Sequence, residues 1–140
     1  MRSSSEFRIC VTGGRDLTNV NLVDEAMDWV HASVLTKHGI GTRVKLAHGG
    51  ASGADELCRD WANRCFGATN VRQFNAYWDA NGPGAGPIRN ATMLDEFKPH
   101  VLIAFPGGDG TADCVKKARA RGIPVRDGVE LAKKARGEEC

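Results

Sequence analysis

The sequence predicts an α/β fold: a roughly five-stranded parallel sheet with helices on both faces, in three layers. Two patterns in the 140 residues support this. Short apolar, β-compatible runs alternate with longer segments whose apolar residues recur every three and four positions. That β-α alternation continues to the end of the chain, an order that gives a parallel sheet covered on both sides. A third observation concerns function. Four glycine-bearing segments follow strands or lead into helices, so they converge on the carboxyl edge of the sheet, where such folds bind ligands.

The elements follow in order. Phe7 to Val11 is short and apolar, a first strand. Leu22, Val23, Ala26, Met27, Val30 and Val34 give one apolar face to a helix from Thr18 to about Lys37, stopped by Gly39 and Gly41. Val44 to Ala47 is the second strand. A helix from Gly53 to about Phe66 carries Ala54, Leu57, Cys58, Trp61, Ala62 and Cys65 at helical spacing. Val71 to Phe74 is a third, more polar strand, and residues 76–86 read as a loop rich in Gly, Pro and Asn. Pro87 opens a helix to about Phe97, since proline is tolerated in a first turn. Val101 to Phe105 is the most apolar strand. A helix from Thr111 to Arg121, a strand from Ile123 to Val125 and a helix from Gly128 to Arg136 complete the chain. Residues 1–6 and 137–140 read as tails around one domain, 7–136.

Composition narrows the function classes. With 41% hydrophobic and 26% charged residues, the chain has the make-up of a soluble globular protein. A net charge of +2 is too mild to argue for a nucleic-acid partner. No apolar run approaches the ~20 residues of a membrane helix, and the start, "MRSSSEF", has no signal-peptide core. The five cysteines are odd in number and form no C-x-x-C pair. They read as reduced thiols of a cytoplasmic protein without structural zinc, and no cofactor is expected.

The glycine turns carry the chemistry. A helix start offers unsatisfied N–H groups and the positive end of a dipole, and glycines let a backbone nest close around an anion. In "FPGGDGTADC", Gly107, Gly108, Asp109, Gly110 and Thr111 fit that task. "HGGASGAD" offers Gly49, Gly50 and Gly53 as a second nest, Ser52 as a helix cap, and Asp55 as either a first-turn charge or an acid–base group. His48, just before it, is read as structural more readily than as a ligand contact. "TGGRD" supplies Gly13, Gly14, Arg15 and Asp16, with Arg15 a second phosphate candidate. "GPIRN" supplies Arg89, whose planar guanidinium suits phosphate, and Asn90. Trp78, beside Tyr77, can stack on a base or pack in the core.

Taken together, these residues resemble a known family. "FPGGDGT" resembles the P-G-G-x-G-T turn of the Lonely guy, or lysine-decarboxylase-like, phosphoribohydrolases, and "GPIRNATM" their arginine-bearing helix start. The whole pattern is similar to the YAcAr branch of the same SLOG superfamily, often found in phages and bacteria. Residues 13–16, 48–55, 85–90 and 105–113 carry the likeness, which spans about residues 7 to 127.

The resemblance implies a Rossmann-like sheet and a nucleotide ligand. It implies hydrolysis of the N-glycosidic bond of a nucleoside 5′-monophosphate or nucleotide derivative, with phosphate on the 107–111 nest and Arg89 assisting. The hydrolases place a glutamate three residues past the threonine, and here that position is Cys114. Asp113, one residue away, and Asp109, Asp55 and Asp16 on the same edge are the carboxylates that can take the glutamate's place, and Asp55 and Asp113 are the first to test beside Arg89 as catalytic residues. The alternative is a non-catalytic sensor or sponge of an ADP-ribose-like or cyclic nucleotide signal. Single-stranded DNA binding, known in a DNA-processing relative, suits the near-neutral charge poorly. A homo-oligomer, a dimer or larger, is also implied.

Overall fold

Backbone pairing turns the apolar runs into one parallel sheet. Its strands are β1 (Glu6–Thr12), β2 (Arg43–His48), β3 (Val71–Gln73), β4 (Val101–Ala104) and β5 (Val125–Asp127), ordered β3-β2-β1-β4-β5. The computed structural model describes residues 5–137; residues 1–4 and 138–140, expected as tails, lie outside the described residues. Register is set through the central strand: Ile9 pairs with Leu46 on one side and Val101 on the other.

The period of two in a strand sorts the core into two layers. Ile9 and Val11 of β1 face a cluster with Val44, Leu46, Ile103 and Phe105. That cluster is covered by α1 (Val20–His38), α2 (Ala54–Cys65) and α6 (Gly128–Ala135). Cys10, between them, faces the other side with Ala47 and Leu102, under Met93, Leu94 and Phe97 of α4 (Ala85–Phe97) and Cys114 and Ala118 of α5 (Asp109–Ala120). The result is the expected three-layer, Rossmann-like arrangement. Cys10, Cys58, Cys65 and Cys114 are free thiols.

Several boundaries differ from the sequence reading, each for a local reason. Helix α1 starts at Val20 rather than Thr18, because the Asn19 side chain accepts the Leu22 N–H at 3.0 Å and so caps the helix. The expected strand Ile123 to Val125 begins two residues later. The Ile123 N–H still closes the end of α5 on the Ala118 carbonyl (3.0 Å), and Pro124 contributes only its carbonyl, to Leu102 N–H (2.9 Å). The expected loop 76–86 contains a short helix, α3 (Trp78–Asn81), and a 3-10 turn, Gly82–Gly84, that runs straight into α4. Pro87 sits inside the first turn of α4, where its missing N–H costs nothing.

Candidate functional site

From β1 the chain winds outward through β2 and β3, then returns to β4 on the other side of β1. The loops after β1 and β4 therefore part in opposite directions and leave a cleft at the carboxyl edge. Two bonds fix its floor: Phe105 N–H to the Thr12 carbonyl at 2.9 Å, and Gly14 N–H to the Pro106 carbonyl at 2.8 Å. The cleft holds about 440 Å³. Its walls include Gly13, Gly14, Arg15, Asp55, Trp78, Arg89, Asn90, Gly108, Asp109, Gly110, Thr111 and Asp113. An adjoining hollow of about 270 Å³ shares Arg15, Trp78 and Arg89, and adds Gly49, Gly50 and Ser52. Of the predicted site residues, Asp16, Gly53 and Gly107 line neither hollow, although Gly107 directly precedes the α5 turn.

The helix starts differ in a telling way. Helices α1 and α6 are capped by the side chains of Asn19 and Asp127. Helices α2, α4 and α5 begin on Gly53, Gly84 and Gly108, with no side-chain cap. For α2, the Ala54 N–H is met by the Gly14 carbonyl at 3.0 Å. The first turn of α5 lines the cleft, and its N-terminal N–H groups and positive dipole end are aligned for an anion.

The "HGGASGAD" turn is built differently from a free nest. Gly49 N–H and Ala51 N–H donate to Asp55 Oδ2 at 3.1 and 3.3 Å, and Gly50 N–H donates to His48 Nδ1 at 3.0 Å. These donors are already engaged, so the turn serves as a cradle for Asp55. Gly53 makes the cradle possible. Its φ of +78° is left-handed, and a Cβ there would run into the Gly14 and Arg15 backbone. Gly53, not Ser52, is the N-cap of α2, and the Ser52 hydroxyl lies 3.5 Å from the Arg15 carbonyl. His48 is almost fully buried, and burial, with Arg59 and Arg89 nearby, lowers it to about 4, so it is neutral and structural.

The two candidate carboxylates have different environments. Asp55 is 6% exposed, and its Oδ1 has no hydrogen-bond partner among the described residues. Burial pushes its carboxyl up to about 6, against the Ala51 and Gly49 N–H groups and the charges of Arg89 and Arg15. Asp113 is engaged on both oxygens: Oδ1 with Lys117 Nζ at 2.5 Å and Oδ2 with Asn90 Nδ2 at 3.0 Å. Burial alone would raise it, but those bonds outweigh burial and hold it below the usual carboxylate value.

Asn90, 4% exposed, ties the elements together: its Oδ1 accepts from Arg89 Nε at 3.0 Å, and its Nδ2 also reaches the Gly110 carbonyl at 3.2 Å. Arg15 lies over the Trp78 ring, 5.9 Å from its centroid, at the mouth of the cleft. Cys114 is fully buried beneath α5, and burial pushes its thiol to about 11, so it is not a thiolate at neutral pH. Thr12 and Pro83 also line the cleft and were not singled out from sequence. Thr12 closes an apolar strand and reads as core, and only its position before the two glycines hints otherwise.

A larger hollow, about 510 Å³, opens at the opposite edge around Glu6, Arg8 and Lys45. Most of its charges are paired: Glu6 with Arg8 at 3.2 Å and Lys45 at 3.4 Å, and Arg72 with Glu96 at 3.0 Å. Among the described residues no cluster of His, Cys, Asp and Glu suits a metal, and no helix is long and apolar enough to cross a membrane.

Comparison with known proteins gives a family and a relative. The model of the YspA, cpYpsA-related SLOG family, YAcAr, matches residues 7–80. "Gene 61 protein" of Mycobacterium phage D29 is 34% identical over 125 residues, covering 84% of this chain and 93% of that protein. The phage relative accords with the phage and bacterial distribution expected from the sequence motifs.

Proposed function

The chain belongs to the YspA, cpYpsA-related SLOG family, and we propose that it hydrolyses the N-glycosidic bond of a nucleoside 5′-monophosphate or a related nucleotide derivative. Family membership points to nucleotide-related binding or processing. The bond and the substrate are this proposal, and the observation that carries it is the buried Oδ1 of Asp55, a cleft-lining residue, which has no hydrogen-bond partner among the described residues.

In this reading the 5′-phosphate sits on the first turn of α5, held by Gly108, Gly110 and Thr111, with a free N–H of Arg89 alongside. The sugar then lies over Asp55. Rupture of the C1′–N bond leaves its electron pair on the base and positive charge on the sugar, which the Asp55 carboxylate stabilises. Water bonds to C1′, and Asp55 takes the proton that it sheds. The departing base takes a proton from solvent, and Asp55 later returns the water's proton to solvent, so the net change is the addition of one water across the bond. Trp78 and Arg15 flank the base. Asp113 positions Asn90 and, through it, Arg89. A dimeric or larger assembly and a cytoplasmic location belong to the same proposal.

A second reading, a sensor or sponge that binds without turnover, is favoured by one observation. The position of the hydrolases' glutamate carries a buried, un-ionised thiol. The test is mass spectrometry of free and protein-bound fractions after incubation with nucleoside monophosphates, deoxynucleotides, NAD and ADP-ribose-type nucleotides. Free base plus a sugar phosphate, lost in Asp55→Asn, is the expected result. An intact nucleotide enriched without product would establish the sensor, and neither product nor enrichment would overturn both readings.

A further inference from the structure

Arg89 has a use for its guanidinium before any ligand arrives. Its Nη1 donates to the Gly49 carbonyl and its Nε to Asn90 Oδ1. The peptide that carries the Gly49 carbonyl also carries the Gly50 N–H, which donates to His48 Nδ1. Gly49's own N–H donates to Asp55 Oδ2. Residue 49 is thus pulled from both sides, toward α4 by its carbonyl and toward α2 by its N–H. The fit leaves no space: a Cβ on Gly49 would strike the Arg89 guanidinium, coming within 2.6 Å of Cζ.

We propose that Arg89 is a positioning residue: by pinning the Gly49 carbonyl it holds the 49–51 turn around Asp55, so that Oδ2 is tied down while the buried Oδ1 is left without a hydrogen-bond partner among the described residues. The proposal rests on the glycosidase reading only for the use to which Oδ1 is put. The positioning itself is a property of the unliganded protein. The charged and titratable groups around Asp55 come from several elements: Arg89 from α4, Arg15 from the loop after β1, Cys10 from β1, His48 from β2, Cys58 from α2 and Cys114 from α5. The two arginines are the cations, so a through-space effect of Arg89 on Asp55 must be separated from the effect of the pinned turn.

The test compares wild type with Gly49→Ala and Arg89→Gln. Gly49→Ala keeps the guanidinium charge but pushes it off the carbonyl; Arg89→Gln removes charge and bond together. The readouts are amide exchange at position 49 and at Ala51, and direct titration of the Asp55 carboxyl by carbon-detected NMR. In both variants the 49 and 51 amides are expected to exchange on the order of tenfold faster, with Asp55 titrating higher than in wild type. Where the enzyme turns over, kcat falls more than KM rises. Wild-type exchange and titration in a folded Gly49→Ala would overturn the proposal, and so would a change in titration with exchange unaltered in Arg89→Gln, which would reduce Arg89 to a through-space charge. If Gly49→Ala does not fold, Arg89→Lys decides. Preserved charge with lost protection supports pinning, and preserved protection refutes it. Absence of turnover in wild type would sink the glycosidase reading while leaving these readouts intact.

Discussion

Replacing Asp55 by asparagine should make the protein more stable at neutral pH while abolishing its proposed chemistry. The amide side chain keeps the acceptor that Oδ2 offers to Gly49 N–H and Ala51 N–H, and it removes a carboxylate that burial disfavours. The sign follows from the shift. A folded-state value of about 6 against the ordinary value of 3.8 means that the folded protein binds the proton more tightly than the unfolded chain. Asp55 is therefore least costly below the unfolded value, and stability is lost as the pH rises through about 4 to 6. A gap of roughly two units corresponds to about 3 kcal/mol. For a chain of this size that is a rise in Tm of about 6 to 12 °C. The assay is thermal unfolding of both proteins from pH 4 to 8. The difference in Tm should be near zero at pH 4, grow through pH 6 and level off by pH 7.5. A constant loss of stability in Asp55→Asn at every pH would refute the reasoning, because it would make the ionised carboxylate a stabilising cap rather than a buried charge held for use.

Three further expectations follow from the same geometry. Turnover, measured as base release, should rise with pH through about 6 as Asp55 ionises; a profile flat from pH 5 to 8 would remove Asp55 as the group that takes the proton. Cys114→Ala should cost about 1 kcal/mol of stability for a small buried cavity and leave turnover within a few fold, since the thiol is un-ionised; a hundredfold loss in single-turnover kinetics would place the thiol in the chemistry. Gly53→Ala should cost upward of about 2 kcal/mol in denaturant unfolding, because a left-handed φ is combined with backbone collision; a wild-type midpoint would mean that the cradle is loosely built.

The sheet and its helices were legible because β-α alternation fixes both the period and the topology. Ile9, Val11 and Cys10 could be assigned to opposite faces by parity alone. Boundaries were less legible wherever a single hydrogen bond decides them: the Asn19 cap moves the start of α1, and the Ile123 N–H, still held by α5, delays β5. The cleft residues were found because glycine turns after parallel strands must meet at one edge. Which donors remain free was not legible. Sequence shows glycines at 49, 50 and 53, but not that Asp55 and His48 already accept the N–H groups of this turn. Nor could it separate Asp55 from Asp113. Both are aspartates near helix starts, and the difference lies in Lys117 and Asn90, which engage one and leave the other alone.

The replacement of a glutamate by Cys114 can be argued through the same neighbourhood. Cys114 and Asp55 lie close enough for the carboxylate to act on the thiol electrostatically, and both feel Arg89. A carboxylate on α5 at this position and one on α2 at Asp55 would therefore compete for the same arginine, and two like charges there cannot both ionise cheaply. If Asp55 has taken over the carboxylate's place, Cys114→Glu should be tolerated worse with Asp55 present than in the Asp55→Asn background. Burying an unpaired carboxylate costs several kcal/mol in either background, so the informative quantity is the coupling. Denaturant unfolding of the two single variants and the double variant should give a coupling on the order of 1 to 3 kcal/mol, with the double variant more stable than additivity allows. Additivity within about 0.5 kcal/mol would mean that the two positions do not share one electrostatic site. In that case the thiol at 114 records the loss of a catalytic group rather than its transfer to α2, and the sensor reading would gain what the hydrolase reading loses.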